Sequence, residues 1–133
     1  MEIMLNATLA GGVAIGTTCD LITKPWVAMT IGLIGGVFSS IGFQKIGPWL
    51  AEKTGLQDTC GVNSLHGMPG IFAALTSAIV ISVMGKQDFP DDYFTITKNG
   101  GSYGDQVYAQ IMSLVITLFI SIVSGGIGGY IAS

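Results

Sequence analysis

Four long stretches of this chain contain no aspartate, glutamate, lysine or arginine, and this pattern constrains the fold most strongly. They are residues 3–19, 26–44, 59–85 and 106–133. Each has about the length that a helix needs to cross a hydrocarbon core of roughly 30 Å, which takes about 17 to 25 residues. Only 10% of the 133 residues are charged, against roughly 25% in an ordinary soluble domain. The sequence therefore predicts an all-α membrane protein with four transmembrane helices, of which the first and shortest also fits a buried soluble helix.

The polar connectors place the predicted spans along the chain. The spans are expected at about residues 3–22, 26–44, 59–84 and 107–131, with a long polar loop at about 85–106. Pro25 disfavours helical backbone at Lys24 and so separates the first two spans. Trp26 and Trp49 are amphipathic rings of the kind found at membrane interfaces. The pair Gly47-Pro48 predicts a break, so residues 45–57 are interpreted as an interfacial loop with one helical turn.

Glycine spacing within the spans predicts close helix packing. Three spans carry glycines four residues apart, at Gly12 and Gly16, Gly32 and Gly36, and Gly125 and Gly129. Small residues on one helix face let two backbones approach closely in lipid. A chain with 20 glycines also produces such spacings by chance. The packing interpretation implies that these faces need partner helices.

The only histidine lies near the start of the third span, within DTCGVNSLHGMPG at residues 58–70. Asp58 or Thr59 is expected to cap the helix, since a side-chain oxygen there meets unpaired N–H groups at the positive end of the helix dipole. Asn63 precedes His66 by three residues, which on an α-helix places both on one face. The flanking residues weaken the helix and allow a bend or a close neighbour; they are Gly67, Pro69 and Gly70.

An ionisable ring at the depth of His66 is costly in a membrane and usually faces a bundle interior or a cavity. Burial favours the neutral imidazole, which has one donor and one acceptor nitrogen. Such a ring can pass a proton or a hydrogen bond along a path without adding charge. The structural alternative is a histidine that ties two helices together.

Other functional classes are disfavoured by the sequence. Cys19 and Cys60 are expected at or inside apolar helices as small apolar groups, and the spacing of Cys60 and His66 matches no familiar zinc site. No nucleophile with a base, phosphate loop or metal cluster is found in the sequence, so neither an enzyme nor a cofactor or metal is predicted. The net charge of −3 and the absence of arginine oppose nucleic-acid binding.

Two motifs resemble one known family. The stretch at 58–70 resembles the histidine motif of the Rhesus glycoproteins, a branch of the Amt/Rh ammonium transporter superfamily. A second stretch, NATLAGGVAIG at residues 6–16, is similar to another motif of that branch, and the resemblance covers nearly the whole chain. It implies that the spans correspond to the last four core helices of the Amt/Rh fold. It also implies a multi-pass plasma-membrane protein with both termini cytoplasmic and residues 85–106 outside.

The resemblance also implies a site and a function. In the family, two histidines meet in an apolar pore through each subunit of a homotrimer, and His66 matches the second. The candidate pore residues are His66 and Asn63, and the structural supports are Asp58, Gly67, Pro69 and Gly70. The first histidine belongs to an upstream half, and this sequence has no other histidine.

The chain is therefore interpreted as the C-terminal portion of an ammonium or ammonia channel, by truncation or an alternative start. Its expected partners are ammonium or ammonia, the lipid membrane, and a missing N-terminal half or full-length family members. The alternative is a non-conducting membrane segment that packs with full-length relatives. Whether ammonia, ammonium or carbon dioxide permeates stays open at this point.

Overall fold

The computed structural model describes residues 1–88, 94, 96 and 99–132, and within these ranges every regular element is helical. The elements are α1 (Glu2–Ile15), α2 (Pro25–Ile41), π1 (Gly42–Ile46), α3 (Gly47–Thr54), π2 (Asn63–Gly67), α4 (Met68–Asp88) and α5 (Tyr103–Ala132), where π1 and π2 are single π-helical turns. The chain divides into two compact units, Met1–Ser77 and Ala78–Ser133. The all-α prediction is confirmed. Much of the predicted loop at 85–106 lies outside the described residues.

Three helical stretches are long and apolar enough to cross a membrane, and a fourth is shorter. The long ones are Pro25–Thr54, Asn63–Val83 and Tyr103–Ala132. Helix α1 has 14 residues and so a length of about 21 Å at 1.5 Å per residue, less than a hydrocarbon core of roughly 30 Å. After Ile15 the chain continues in turns held by the N–H of Thr18 on the Ile15 carbonyl, 3.0 Å away.

The start of α2 agrees with the sequence, whereas the predicted break at Gly47-Pro48 is wrong. Lys24 is extended, with φ −104° and ψ 115°, and Pro25 is the first residue of α2. The helix then runs without interruption through π1 and α3 to Thr54. It tolerates Pro48 because the turn before this proline is widened to π geometry. Gly55 ends α3 in the left-handed conformation, with φ +73°, as is common after helices.

Helices α1 and α2 pack through small residues at close backbone distance. A β-carbon added at Gly11 would lie 3.0 Å from the Gly32 carbonyl oxygen, and one at Gly36 would lie 3.0 Å from the Ala7 carbonyl oxygen. Ala10 is completely buried. The packing prediction is therefore confirmed for the glycines of α2.

On the other helices the predicted glycine pairs make no interhelical contact among the residues that the structure describes, so their packing against partner helices stays a prediction. The face of α1 that meets α2 carries Gly11 rather than Gly12, since no described atom lies within 4 Å of a β-carbon added at Gly12. The same holds for Gly125 and Gly129. None of the residues of α5 is buried.

Aromatic packing joins α4 to α2 in the first unit. The ring centroids of Phe38 and Phe72 are 5.2 Å apart and their planes are tilted by 47°, a geometry that aromatic pairs favour. This contact holds the beginning of α4, and with it the histidine turn, against α2.

The two cysteines are free thiols on the surface, in turns rather than inside helices. Neither cysteine lies inside a helix, and the expectation that each thiol behaves as a small apolar group stays a prediction. Cys19 lies beyond the end of α1, where its thiol donates to the Gly16 carbonyl at 3.3 Å. Cys60 precedes the start of π2.

In the second unit, a reciprocal cap begins α5. The carboxylate of Asp105 accepts hydrogen bonds from the N–H and the hydroxyl of Ser102, both at 2.8 Å. The Asp105 N–H donates to the Ser102 hydroxyl at 3.2 Å. This capping box satisfies N–H groups that a helix start otherwise leaves unpaired.

Candidate functional site

His66 lies on π2, the widened turn that opens the third span. The N–H of Met68 donates to the Asn63 carbonyl, five residues back. Pro69 follows directly and has no N–H, and in a continued α-helix its ring would meet the carbonyl of Leu65. Widening the preceding turn moves that carbonyl away. Single π turns of this kind occur frequently at functional sites.

Asp58 fixes the beginning of π2. One of its carboxylate oxygens accepts the Val62 N–H at 2.8 Å, and the other accepts the Asn63 N–H at 2.9 Å. Hydrogen bonds from N–H groups to a charged carboxylate are stronger than neutral ones. The predicted cap at Asp58 is confirmed, although the carboxylate reaches four and five residues ahead.

Gly61 makes this reach possible. It has φ +65°, a left-handed conformation that glycine adopts without steric cost. Its N–H donates to the Asp58 carbonyl at 3.1 Å, so the chain turns back over Asp58. A β-carbon at Gly61 would overlap the ring of Phe43.

The two candidate pore residues differ in exposure. Asn63 is half-buried and His66 is exposed. The expectation that they share one face assumed an α-helical turn, and this assumption is wrong because π2 holds more residues per turn than an α-helix. No described residue hydrogen-bonds the imidazole, and its surface is available to a neighbouring group.

The remaining predicted supports have different surroundings. Pro69 is fully buried and Gly70 is half-buried. A β-carbon at Gly67 would lie 3.1 Å from the side-chain oxygen of Asn63. The absence of a side chain at Gly67 therefore leaves room for the Asn63 amide. A β-carbon at Gly70 would have no described atom within 4 Å.

The sequence did not predict π1, the turn that packs against π2. A β-carbon at Gly42, the first residue of π1, would lie 2.9 Å from the hydroxyl oxygen of Ser64. Ser64 is 1% exposed. One sequence feature could have indicated both π turns. A proline stands six residues after the first residue of each turn, at Pro48 and Pro69.

A cavity of about 340 Å³ lies beside this contact, and Asp58, Phe43 and Ser64 contribute to its lining. The cavity borders the loop that holds Asp58, whereas the imidazole of His66 is not part of its wall.

Comparison with known proteins identifies the family. The model of the ammonium transporter family matches residues 1–133. The chain belongs to the ammonium transporter family. Among relatives, ammonium transporter Rh type C of Macaca mulatta is 39% identical over 132 residues, which cover 95% of this chain and 28% of that protein. Ammonium transporter Rh type B of Takifugu rubripes is 38% identical over 137 residues, with 95% of this chain and 28% of that protein covered.

These similarities confirm the resemblance to the Rh branch of the Amt/Rh superfamily. Ammonium transporter Rh type B of Bos taurus is 36% identical over 93% of this chain and 28% of that protein. The family and the apolar helices identify an integral membrane protein. This Rh-branch chain spans a little over a quarter of the length of these relatives.

Proposed function

We propose that this chain forms part of a Rhesus-type channel that carries ammonium or ammonia across the membrane, with His66 in the pore. The observation that carries the proposal is one imidazole on a widened turn at the start of a membrane span, in a chain of the ammonium transporter family. The ring is exposed, so it is available to a permeant molecule.

Desolvation explains why an imidazole suits this place. An ammonium ion loses its hydration on entering an apolar conduit, at a cost far beyond what a few contacts return, whereas neutral ammonia crosses easily. A neutral imidazole accepts a hydrogen bond at one nitrogen and donates one at the other. His66 would accept a proton or hydrogen bond from the permeant molecule and relay it along the path.

The supporting residues set the position of the ring. The Asp58 carboxylate holds the N–H groups of Val62 and Asn63, and Pro69 widens the turn. Asn63 is half-buried, and its side-chain oxygen lies beside Gly67. In this proposal Asn63 joins His66 as a pore residue, and Asp58, Gly67, Pro69 and Gly70 support the turn.

The exposed face of His66 leaves room for further protein on the opposite side of the pore. We propose that an N-terminal half, or a full-length family member, supplies it with the first histidine. The complete assembly would be a homotrimer in the plasma membrane, with both termini cytoplasmic and residues 85–106 outside.

Methylammonium flux into liposomes tests the role of His66. The full-length parent carrying His66→Ala is expected to lose flux by about 100-fold, the scale of one positioned proton-transfer group. Thr59→Ala, an exposed change in the same loop, is the matched control and should leave flux unchanged. Unaltered flux and selectivity in His66→Ala would remove this residue from the mechanism.

A second candidate function is a non-conducting segment that packs with full-length relatives. Helix α5 favours it, because none of its residues is buried and the helix is long and apolar enough to cross a membrane. Co-expression of the tagged chain with a full-length relative tests it. Co-purification with reduced flux would support this function, whereas methylammonium flux by the chain alone would contradict it.

A further inference from the structure

The hydroxyl of Ser39 on α2 is completely buried, yet it has no hydrogen-bond partner among the residues that the structure describes. The other hydroxyls of α1 and α2 each donate to the carbonyl four residues back: Thr8 to Met4, Thr30 to Trp26 and Ser40 to Gly36, at 3.0, 2.9 and 3.0 Å. Ser39 makes no such bond to Gly35. A buried hydroxyl without a partner destabilises a fold, so this one indicates a partner outside the chain.

Ser39 lies where α1, α2 and π2 meet. Three residues before it, a β-carbon at Gly36 would lie 3.0 Å from the Ala7 carbonyl oxygen of α1. Three residues after it, a β-carbon at Gly42 would lie 2.9 Å from the hydroxyl oxygen of Ser64 on π2. Residues three apart lie on the same face of a helix. The Ser39 side chain is therefore on the face of α2 that meets both neighbours.

Ser64 supplies a second buried hydroxyl at this junction. Its residue is 1% exposed, and it lines the cavity of about 340 Å³ whose wall also includes Gln57 and Asp58. A hydroxyl has one donor and two acceptor sites, so Ser64 can bond to a water molecule that enters from this cavity. The junction is therefore polar on two sides and accessible to water.

The spacing of the two hydroxyls suits one bridging water. Residues three apart on a helix have β-carbons about 5–6 Å apart, which is the step from Ser39 to Gly42, and Gly42 lies directly against the Ser64 hydroxyl. A water that bonds to two hydroxyls at about 2.8 Å each joins oxygens up to about 5.6 Å apart. Because Gly42 has no side chain, the space between the two serines is left for such a molecule.

We propose that one water molecule is bound at this junction and bridges the hydroxyls of Ser39 and Ser64. A water satisfies buried polar groups with both donors and acceptors, whereas an apolar molecule would leave the Ser39 hydroxyl unpaired. Atoms of this chain close Ser39 off completely, so another protein segment is too large to reach it. The water ties π2, which carries His66, to α2. The proposal does not depend on what the chain transports.

A high-resolution crystal structure of the full chain tests the proposal directly. We expect a density peak within hydrogen-bond distance of the hydroxyl oxygens of both Ser39 and Ser64. The peak should be lost in Ser39→Ala. It should remain in Ser40→Ala, the matched control, because the Ser40 hydroxyl bonds within its own helix. A Ser39 hydroxyl that donates to the Gly35 carbonyl, with no peak between the two serines, would overturn the proposal.

The equilibrium constant for unfolding of the full chain in detergent gives a second test. Ser39→Ala is expected to raise this constant about fivefold, the scale of one hydrogen bond, because the water loses a partner. Ser64→Ala should have a similar effect, and the double variant should show less than the product of the two, since both changes remove the same bridge.

The control and the sign of the effect decide the outcome. Ser40→Ala should combine with Ser64→Ala as an independent change. If the Ser39 hydroxyl had no partner at all, Ser39→Ala would make the chain more stable, because a buried unpaired group would be removed. A variant Ser39→Ala at least as stable as the unchanged chain would therefore overturn the proposal, and so would independent effects of Ser39→Ala and Ser64→Ala.

Discussion

The two π turns share a local cause and differ in what holds them. In both, a proline stands six residues after the first residue of the turn, Pro48 after π1 and Pro69 after π2. Turn π1 lies inside one continuous helix and has helical backbone on both sides. Turn π2 begins a helix, and the Asp58 carboxylate and the left-handed Gly61 precede it. A proline thus favours a widened turn in both places, whereas only π2 is also held by the chain that precedes it.

The turn without candidate pore residues supports the turn that has them. Gly42 and Phe43 of π1 lie against Ser64 and Gly61. Because π2 packs against π1, small changes in π1 should alter the position of His66. Four sets of substitutions test this relationship, in descending order of expected effect on stability.

Gly61→Ala should be the most damaging change. It places a β-carbon at a residue with φ +65° and against the Phe43 ring. The left-handed conformation costs about 1–2 kcal/mol and overpacking about 1–3 kcal/mol, so we expect a loss of about 3 kcal/mol in the free energy of unfolding. Gly55→Ala is the control, since Gly55 has φ +73° but no described atom within 4 Å of its β-carbon position. Equal losses in denaturant titrations of the two variants would contradict the role of Phe43.

Asp58→Ala should cost about 2 kcal/mol, the upper range for loss of a helix cap, because two N–H groups lose their partner. Hydrogen exchange is expected to accelerate at the amides of Val62 and Asn63. Asp105→Ala, which removes the cap of α5 in the other unit, should leave exchange at these two amides unchanged. Unaltered protection in Asp58→Ala would show that the carboxylate does not hold π2.

Gly42→Ala tests the contact between the two turns. Its β-carbon would lie 2.9 Å from the Ser64 hydroxyl oxygen, and such overpacking costs about 1–3 kcal/mol. We expect about 1.5 kcal/mol, measured as the free energy of unfolding. The variant should also lower methylammonium flux if π1 positions His66.

A double-mutant cycle isolates this contact. Ser64→Gly, added to Gly42→Ala, should recover part of the loss, with a coupling of about 1 kcal/mol, within the range for residues in contact. At Gly47 an added β-carbon meets only ordinary contact at 3.4 Å, so Gly47→Ala is the control. Additive losses would exclude a direct contact between the turns.

Local chemistry explains which predictions from the sequence were correct. The extended Lys24 before Pro25 and the cap at Asp58 depend on one or two neighbouring residues, and both are confirmed. The all-α fold follows from the long uncharged stretches, and the family follows from the motif around His66. Each of these features is encoded in the order of residues along the chain and needs no tertiary contact to be recognised.

The wrong predictions depend on the width of the helical turns and on tertiary contacts. Helical periodicity assumes 3.6 residues per turn, so it placed Asn63 and His66 on one face of an α-helix, and the Gly47-Pro48 pair was interpreted as a break because proline disfavours α-helical geometry. The sequence pattern did not show that the turn before each proline is widened. It could not show that Gly42 meets Ser64, because these residues are distant in sequence. The choice of Gly11 rather than Gly12 at the α1–α2 contact likewise depends on how two helices rotate against each other.

The last substitutions, Pro48→Ala and Pro69→Ala, should change the geometry of the turns more than the stability of the protein. We expect the free energy of unfolding to change by no more than about 1 kcal/mol. Each restores an N–H that can bond to the carbonyl four residues back, Gln44 or Leu65. In π1 helical backbone on both sides favours a return to α geometry. In π2 the Asp58 carboxylate still fixes the N–H groups of Val62 and Asn63, so the widened turn should persist.

Structures of the two variants, with hydrogen exchange at Gly47 and Met68, distinguish these outcomes. If both turns became α-helical, the proline alone would set the width of π2. The loop around Asp58 would then mark the start of the helix without keeping the turn wide. If neither changed, the packing of Gly42 against Ser64 would hold both turns wide. If only π1 became α-helical, the Asp58 cap would be enough to keep π2 wide. The proline after π2 would then not be needed for the shape of the histidine turn.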